Sequence, residues 1–440
     1  MVGVMKKVVF IAAVVAIFVF QFSVTSCTTD GYADENDAVL SFSVDTVSFD
    51  TVFTTMASTV RMVCVYNLTG QDVLLSSVTL EGGRASRFRL NVDGDTSMVA
   101  RNVEIMAGDS IFIFVTANIN PNDQTAPFVV EDAIRFSNGL RLPLSAWGRN
   151  AVYHKALPGH WVHVIDCDNW DHTRPHIFLD TAAVDSACIL QLNAGEELYF
   201  ADRATLLVYR DGTLRANGTA EQPVLFTSLR HDGWYDFLPG QWAGLWFSAL
   251  SKDNVMDHCV VEKGTFGIVV DTNQGPNPTL TISNTVVRHM SYTGILGQGA
   301  RIVGSNLLIY QCGTATLWLR AGGDYTFTGC TFAGYWRYGG RQNPTVVLQN
   351  FYLAVGDVII PRALTRADFT DCIIWGTWQD TELLEQQVDE APYSSRFIHS
   401  IVKGGEWSED PLFENADEND YHLQEGSPAA GIGYNYGDEE

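Results

Sequence analysis

A short pattern recurs seven times between residues 255 and 403: a small polar or sulfur-containing residue followed by an apolar strand. The marker residues are Cys259, Asn284, Asn306, Cys330, Asn350, Cys372 and Ser400. Their spacing ranges from 20 residues (330 to 350) to 28 residues (372 to 400). Such spacing suits a solenoid with one repeat per turn and is too short for helical repeats of about 33 residues or more.

The position two residues after each marker is apolar throughout, which predicts one inward-facing column. Its members are Val261, Val286, Leu308, Phe332, Tyr352, Ile374 and Val402. We expect one strand per turn to stack on its equivalent, with the marker side chains at a tight bend and bonded to like neighbours. A ladder of this kind would hold the bend rather than a substrate.

This pattern resembles right-handed parallel β-helix proteins, a group that includes pectin-degrading enzymes, phage tailspikes and many bacterial surface proteins. Gly212-Thr213-Leu214, Gly218-Thr219 and Pro223-Val224-Leu225-Phe226 resemble the first turns of secreted bacterial β-helices. The resemblance implies an architecture only, because folds of this kind host many activities.

The chain divides by composition into an all-β arrangement of several parts. Short alternating runs separated by turn residues predict an immunoglobulin-like β-sandwich over residues 39–150. Residues 151–182 are predicted to be a connector and residues 183–433 the right-handed parallel β-helix. The end of that segment resembles the C-terminal cap of extracellular β-helices, and residues 434–440 form an acidic tail.

Residues 1–26 have the organisation of an export signal: two lysines, thirteen apolar residues from Val8 to Phe20, then small and polar residues. The apolar run is too short for a membrane-spanning helix. Val24-Thr25-Ser26-Cys27 resembles a bacterial lipobox, which implies lipidation of Cys27; an ordinary secretory signal is the alternative. The acidic linker 27–38 resembles lipoprotein export tags, so we expect a lipid-anchored protein at the outer membrane or cell surface.

The net charge of −24 excludes nucleic acid as a natural partner, because phosphate binding needs a basic surface. Seven cysteines follow Cys27, so a complete set of intramolecular disulfides is excluded. If Cys259, Cys330 and Cys372 share one column, three and two turns apart, they exceed the reach of a disulfide, roughly 7 Å between Cα atoms, and stay free thiols. Whether Cys167, Cys188 or Cys312 pair is left open.

The sequence predicts no metal site. Five of the ten histidines lie in residues 151–182, yet their spacing matches no ligand motif, so we expect them to form hydrogen bonds. They are His154, His160, His163, His172 and His176. Residues 91–95 begin like a calcium loop but lack the acidic residue that closes one. No cofactor is expected, although calcium remains compatible with the enzymatic alternative below.

Catalytic motifs of the β-helix enzymes are absent, namely those of polygalacturonases and the Arg-x-Pro-x-x-Arg motif of pectate lyases. Met256-Asp257-His258-Cys259 faintly resembles the Trp-x-Asp-His segment of the lyases, without the Trp. The best acidic cluster is Asp253, Asp257, Glu262 and Asp271, with Arg288 as a candidate base. Solvated loop charges explain these residues better than a catalytic site does. A polysaccharide lyase or glycoside hydrolase is therefore the alternative to a non-catalytic protein, and a structural spacer is a third hypothesis.

Two interruptions of the repeat, residues 229–242 and 333–344, are rich in aromatic residues. Their candidate ligand-binding side chains are Trp234, Tyr235, Trp242, Tyr335, Trp336 and Tyr338. Trp and Tyr suit sugar rings or a protein partner, although the loops could also cover the side of the solenoid. The sequence thus favours a non-catalytic scaffold that binds an extracellular glycan or a surface protein.

Overall fold

The computed structural model describes residues 31–230, 233–272 and 275–437. The signal segment and Cys27 lie outside these residues. The described chain is all-β, with four 3-10 helices at Glu35–Asp37, Gly83–Ala85, Gly233–Phe237 and Ala416–Glu418. None of the helices in the described segments has the length and apolarity needed to cross a membrane. The chain forms two compact units, divided after Asn150.

The first unit contains two sheets that share one hydrophobic core. In chain order the strands are β1 Leu40–Phe42, β2 Val47–Phe53, β3 Arg61–Asn67, β4 Val73–Leu80, β5 Phe88–Val92, β6 Val99–Ile105, β7 Ser110–Ala117, β8 Phe128–Phe136 and β9 Arg141–Arg149. The four-stranded sheet has the order β1-β3-β7-β5, and the five-stranded sheet has the order β2-β9-β8-β4-β6. Strand β7 buries alternate residues, as expected for a sheet with one solvated face.

The second unit is built from long parallel sheets. In chain order its strands are β10 Val152–His154, β11 Val162–Val164, β12 His176–Phe178, β13 Thr181–Val184, β14 Ile189–Leu192, β15 Glu197–Phe200, β16 Thr205–Val208, β17 Thr213–Asn217, β18 Val224–Ser228, β19 Gly244–Phe247, β20 Asn254–Asp257, β21 Cys259–Glu262, β22 Phe266–Val270, β23 Leu280–Met290, β24 Thr293–Gln298, β25 Arg301–Cys312, β26 Ala315–Arg320, β27 Gly323–Thr328, β28 Thr331–Gly334, β29 Val346–Gln349, β30 Phe351–Ala354, β31 Val358–Pro361, β32 Leu364–Thr370, β33 Ile373–Gly376, β34 Leu383–Gln386, β35 Arg396–Ile398, β36 Ile401–Val402, β37 Phe413–Asn415 and β38 Asp420–Leu423.

Apart from the hairpins β30–β31 and β37–β38, these strands form three faces, which we call A, B and C in the order in which each complete coil visits them. Face A contains β14, β17, β20, β27, β32, β35 and the first halves of β23 and β25; face B contains β10, β12, β15, β18, β21, β28, β33, β36 and the second halves of β23 and β25. Face C contains β11, β13, β16, β19, β22, β24, β26, β29 and β34. Each full coil therefore adds one strand to each face, which is consistent with the predicted β-helix.

A column of left-handed residues makes the bend between faces A and B. His258, Asn284, Asn306, Gly329, Asp371 and His399 have φ between 47° and 61°. Only glycine, and to a lesser extent Asn, Asp and His, tolerate this conformation without a large steric cost. Asn284 and Asn306 of the repeat are therefore explained by the backbone of the bend.

The predicted register is wrong by one residue at two of the markers. Asn284 and Asn306 occupy the left-handed bend itself, whereas Cys259, Cys330, Cys372 and Ser400 follow it and are buried. The inward column is accordingly Val261, Val287, Ile309, Phe332, Ile374 and Val402. Val286 and Leu308, which were predicted to point inward, lie on the other side of the strand because side chains alternate.

Asn350 and Tyr352 are not part of this column at all. Asn350 follows β29 on face C, where its amide donates to Val388 O at 2.8 Å and to Ala391 O at 2.9 Å. The coil from Cys330 to Cys372 is 42 residues long because it contains the antiparallel hairpin β30–β31. The spacing of the markers at positions 330, 350 and 372 predicts two coils, whereas the structure has one long coil.

Cys330 and Cys372 consequently lie in adjacent coils, as the pairing of Phe332 with Ile374 shows. The prediction that they are two coils apart is wrong. Both are nevertheless free and buried, as are three further cysteines of the described residues. Those three are Cys64, Cys259 and Cys312. A disulfide joins Cys167 to Cys188, which answers the question that the sequence left open.

An amide ladder is present along the bend, although it is shorter than predicted. Asn306 Nδ2 donates to Asn284 Oδ1 at 2.9 Å, and Asn284 Nδ2 donates to Asp257 Oδ1 at 2.8 Å. The backbone N–H of Asn435 donates to Asn306 Oδ1 at 2.7 Å. The ladder thus stabilises the bend and holds the C-terminal segment against it.

Two predicted boundaries need correction. Residues 151–182 are not a connector, because β10 to β13 lie within them or begin there and pair in parallel with later strands. The predicted end cap instead lies along the outside of face B. There Phe413, Tyr421, Ala429 and Ile432 pack on Leu308, Tyr310, Ala333, Ile373 and Ile401, which belong to successive coils. Tyr434 and Tyr436, from the predicted acidic tail, join this cluster.

A buried ion pair holds the 333–344 loop against face C. Both carboxylate oxygens of Glu382 lie 2.7 Å from Arg341 Nη2, and Glu382 also accepts from Thr345 N and Trp378 N. The side chains of Arg341 and Glu382 are 4% and 0% exposed. A Cβ at Gly334 would collide with Arg341, so glycine is required for this pair to form.

We expect Glu382→Ala to lower the free energy of unfolding by about 3 to 5 kcal/mol, because the mutation leaves the buried Arg341 guanidinium without a counter-charge. Glu390→Ala is the matched control, since Glu390 is exposed in the same insert and should change stability by no more than about 0.5 kcal/mol. Urea unfolding measures both variants. Equal losses would contradict a specific role for the ion pair.

We expect no thiol of the native protein, produced without residues 1–30, to react with a thiol reagent. Denaturation should expose five thiols, and reduction should raise the number to seven. Burial raises the pKa of Cys312 to about 12, which disfavours its reactive thiolate. A count of seven in denaturant without reductant would show that Cys167 and Cys188 are not bonded.

Candidate functional site

The main candidate site is a groove of about 990 Å³ at the corner where face C leads into face A. We call it the C–A groove. Its lining includes Asp271, Thr272, Gln298, Arg301, Trp318, Arg320, Asp324, Gln349, Phe351, Tyr352, Leu353, Arg362 and Thr365. One wall is formed by the ends of face C strands and the other by the hairpin β30–β31 and the first residues of face A.

Polar side chains form a ladder along the floor of the groove. Asp271, Gln298, Arg320 and Gln349 hold equivalent positions at the ends of consecutive face C strands. Gln298 Nε2 donates to Asp271 Oδ1 at 2.7 Å, and Arg320 Nε donates to Gln298 Oε1 at 2.9 Å. Gln349 in turn bonds to Gln386 on the next coil. The strand register therefore creates a continuous row of hydrogen-bonding groups.

Two tryptophans stand beside this ladder, on the outer surface of face C. Trp246 Nε1 donates to Asp271 Oδ2 at 2.8 Å, and Trp318 Nε1 donates to Gln349 Oε1 at 2.7 Å. Trp318 is half-buried and is stacked near Tyr292, with ring centroids 6.1 Å apart. Because its N–H group is held, the Trp318 ring is fixed in orientation and presents an apolar surface to the groove.

The opposite wall carries a second set of charged groups. Asp324 accepts from Arg301 at 3.2 Å and from Arg366 Nε at 2.8 Å. Arg362 lies over the ring of Tyr352 at 5.3 Å from the centroid. The groove thus combines aromatic surfaces with hydrogen-bonding and charged groups, which is the composition expected of a site for a polar ligand with apolar faces.

Neither carboxylate in the groove is free to act in acid–base chemistry. Asp271 accepts from Trp246 and Gln298, and Asp324 bridges two guanidinium groups. Glycoside hydrolysis requires one carboxyl group that donates a proton and a second that acts as base or nucleophile. Both aspartates of the groove are thus engaged as acceptors in this structure.

The acidic cluster predicted from the sequence does not come together as one site. Only Asp271 reaches the groove, while Asp253 accepts from Asn277 Nδ2 at 3.2 Å. Asp257 accepts from Ser283 and Asn284 in the bend ladder. Burial alone would raise the pKa of Asp257, but these hydrogen bonds and those from His258 lower it.

Glu262 and Arg288, the other members, form an ion pair on face B, in which Glu262 is buried and Arg288 is partly exposed, with Arg288 Nη2 2.7 Å from Glu262 Oε2. Burial would raise the pKa of Glu262, but the charges of Arg288 and Lys263 lower it overall. A guanidinium paired in this way is unsuited to serve as a base. The proposed role of Arg288 as a base is therefore not supported.

The aromatic residues of the two loops divide into core and surface positions. Trp242 is 1% exposed, stacks on Phe200 at 4.2 Å and donates to Glu262 O, so its prediction as a ligand-binding residue is wrong. Tyr335 packs against Phe413 and Tyr421 in the cluster outside face B. Trp242 thus belongs to the core, whereas Tyr335 is half-buried and packs on the outside of face B.

The remaining aromatic residues lie at the corner between faces B and C. Tyr338 Oη donates to Phe237 O at 2.5 Å, so the loops 229–242 and 333–344 do meet. Trp336 contacts Tyr338, and Trp234 is 78% exposed. Tyr235 lies beneath Arg230, whose guanidinium carbon is 3.3 Å from the ring centroid. Ligand binding at this corner stays a prediction.

Sequence reasoning missed Trp246, Gln298, Trp318 and Arg320. Each lies near the end of a face C strand, where the sequence shows a polar residue directly after an apolar run. The signal in the sequence is a polar residue at the end of each apolar run, namely Asp271, Gln298, Arg320 and Gln349. It could be recognised only with the strand register in hand.

Three histidines of residues 151–182 form a hydrogen-bonded row. His154 lies 3.2 Å from His163 and 2.8 Å from His176, and the outer nitrogens of the row contact Lys155 O and Asp171 O. Burial, followed by the nearby His176 and His163, lowers the pKa of His154 to about 3. No group of three or more His, Cys, Asp or Glu suited to a metal ion occurs in the described segments.

Comparisons with known proteins do not assign the chain to a family. No family model matches the sequence, and no curated protein is similar to it. Among solved structures, the catalytic unit of a thermostable GH87 α-1,3-glucanase from Streptomyces thermodiastaticus strain HF3-3 shows 9% identity and a TM-score of 0.21, covering 78% of this chain and 76% of that one.

A GH87 α-1,3-glucanase catalytic domain in complex with nigerose shows 11% identity and a TM-score of 0.16, covering 76% of this chain and 81% of that one. Such low TM-scores establish neither a shared fold nor a shared activity. The function of this chain must be argued from the groove itself.

Proposed function

We propose that this protein is a cell-surface lipoprotein that binds a glycan chain in the C–A groove without cleaving it. In this proposal the second unit is a right-handed parallel β-helix, the first unit is an immunoglobulin-like β-sandwich, and a lipid on Cys27 anchors both at the outer membrane. The partner is an extracellular glycan.

The observation that carries the proposal is Trp318 beside the polar ladder. Sugar rings have apolar faces that pack on aromatic rings, and hydroxyl groups at their edges that need hydrogen-bond partners. Trp318 supplies the ring, and Gln298, Arg320 and Gln349 supply donors and acceptors one strand spacing apart, at about 4.8 Å. A linear polymer lying along the axis would meet equivalent groups on successive coils.

The enzymatic alternative is less well supported by the same groove. A hydrolase needs two carboxyl groups of different protonation, and both aspartates here are engaged as hydrogen-bonded or ion-paired acceptors. A lyase needs a base near the reacting carbon, and Arg288 is paired with Glu262 on face B. These contacts favour binding as the function.

We expect Trp318→Ala to weaken glycan binding by about 1 to 3 kcal/mol, by analogy with aromatic hot spots at interfaces. Trp161→Ala is the control: Trp161 is 91% exposed and precedes β11, six strand spacings or roughly 29 Å along face C from β26. A polysaccharide array followed by affinity measurement and a melting curve tests both variants.

Equal binding by both variants would remove the C–A groove as the site. Release of reducing ends, or of unsaturated uronate absorbance, would favour the enzyme instead. If no polysaccharide on the array binds and the protein forms a stable complex with another surface protein, the structural-spacer hypothesis is favoured.

For the anchor, we expect Cys27→Ala to abolish lipid labelling and to shift the protein from the membrane fraction to the soluble fraction. A lipoprotein anchor with two or three acyl chains holds firmly, whereas a single chain binds only marginally. Ser26→Ala is a neighbouring control that should leave labelling intact. Unchanged membrane partition of the Cys27 variant would disprove the lipid anchor.

A further inference from the structure

The C–A groove has a charge balance opposite to that of the whole protein. The chain contains 51 acidic and 27 basic residues, not counting histidine. The groove, in contrast, is lined by three arginines and two aspartates. A fourth arginine, Arg366, pairs with one of those aspartates, Asp324. Local positive charge on a protein of net charge −24 needs a specific explanation, because the rest of the surface repels anions.

Arg320 is one of two groove arginines without an acidic partner. Its Nε and Nη2 atoms bond to the amide oxygen of Gln298, which carries no charge. No carboxylate pairs with it in the described residues, although the side chain is half-buried. The Gln298 contact fixes the plane of the guanidinium and leaves its Nη1 group available. A preorganised guanidinium fork of this kind suits a carboxylate or sulfate group.

Arg362 is the second, and it lies on the opposite wall after β31. It donates to Pro361 O at 2.8 Å and lies over the Tyr352 ring, and within the described chain it has no ion pair. The stacked ring restricts the guanidinium, so less entropy is lost when it binds an anion. Both unpaired charges therefore face one space and are held by neutral groups.

We propose that the glycan bound in the C–A groove carries anionic groups, which Arg320 and Arg362 recognise. This inference rests on the proposed glycan-binding function and adds its chemical class. A sugar ring would pack on Trp318 while its carboxylate or sulfate accepts from a guanidinium. The acidic surface elsewhere would disfavour nonspecific adsorption of such a polymer, so recognition is confined to the groove.

The test measures affinity of the full mature protein for two matched pairs of polymers. Polygalacturonate is compared with its carboxyl-reduced form, and dextran sulfate with dextran, at one fixed ionic strength. We expect the charged member of at least one pair to bind at least about tenfold more tightly, since one charge-assisted hydrogen bond is worth that factor. If only dextran sulfate, or only polygalacturonate, binds more tightly than its neutral counterpart, the proposal is supported and the anion is identified.

The variants Arg320→Gln and Arg362→Gln should each reduce binding of the charged polymer about tenfold and weaken binding of the neutral partner less. Arg362→Lys should restore part of the loss, because it keeps the charge without the planar fork. Arg203→Gln is the control, since the Arg203 side chain is 92% exposed outside the groove. Because Arg362 is exposed, its variants remain informative if Arg320→Gln proves unstable.

Two results would overturn the inference in distinguishable ways. If charged and neutral polymers bind equally, or if both glutamine variants keep wild-type affinity for the charged polymer, anion recognition is wrong while glycan binding stands. If neither the wild type nor the Trp318→Ala variant binds any polymer of the polysaccharide array, the proposed function is wrong. The inference about anionic groups is then wrong as well.

Discussion

The parallel hydrogen-bond register between successive coils is the constraint on which the second unit depends. It holds equivalent residues about 4.8 Å apart, so each position becomes a column of stacked side chains. Inside, apolar columns such as Leu245, Ile268, Ile295 and Leu317 are buried with essentially no exposure. Outside, the same register turns isolated polar residues into ladders. The core and the groove therefore share one geometric cause.

The inserts give this regular coil its distinct surfaces. The hairpin β30–β31 builds one wall of the C–A groove, and the buried pair of Arg341 and Glu382 holds the neighbouring loop against face C. A buried ion pair is costly to form, because both charges lose their hydration. Its bidentate geometry and the surrounding donors offset that cost. The loop is consequently a defined element, and Tyr338 of this loop bonds to Phe237 O of the loop 229–242.

The groove and the aromatic corner are two different surfaces, on either side of face C. The corner between faces B and C has the exposed Trp234, but Tyr235 lies beneath Arg230 and Tyr338 is bonded to Phe237 O. The C–A groove keeps Trp318 beside hydrogen-bonding groups and unpaired arginines. The groove is favoured as the site for a glycan because Trp318 lies in it together with two arginines, Arg320 and Arg362, that have no acidic partner in the described residues.

The sequence by itself determined the all-β character, the apolar lining of the coils and the small residues at their bends, because these follow from local alternation and from backbone preference. It did not determine which residues stack. At each bend, a residue in the left-handed conformation interrupts the alternation of inward and outward side chains. Asn306 occupies this position and faces outward, whereas Cys330 follows it and faces inward. Likewise, spacing cannot distinguish one 42-residue coil from two short ones. The Asp271, Gln298 and Arg320 ladder exists only because tertiary hydrogen bonds bring distant strand ends into register.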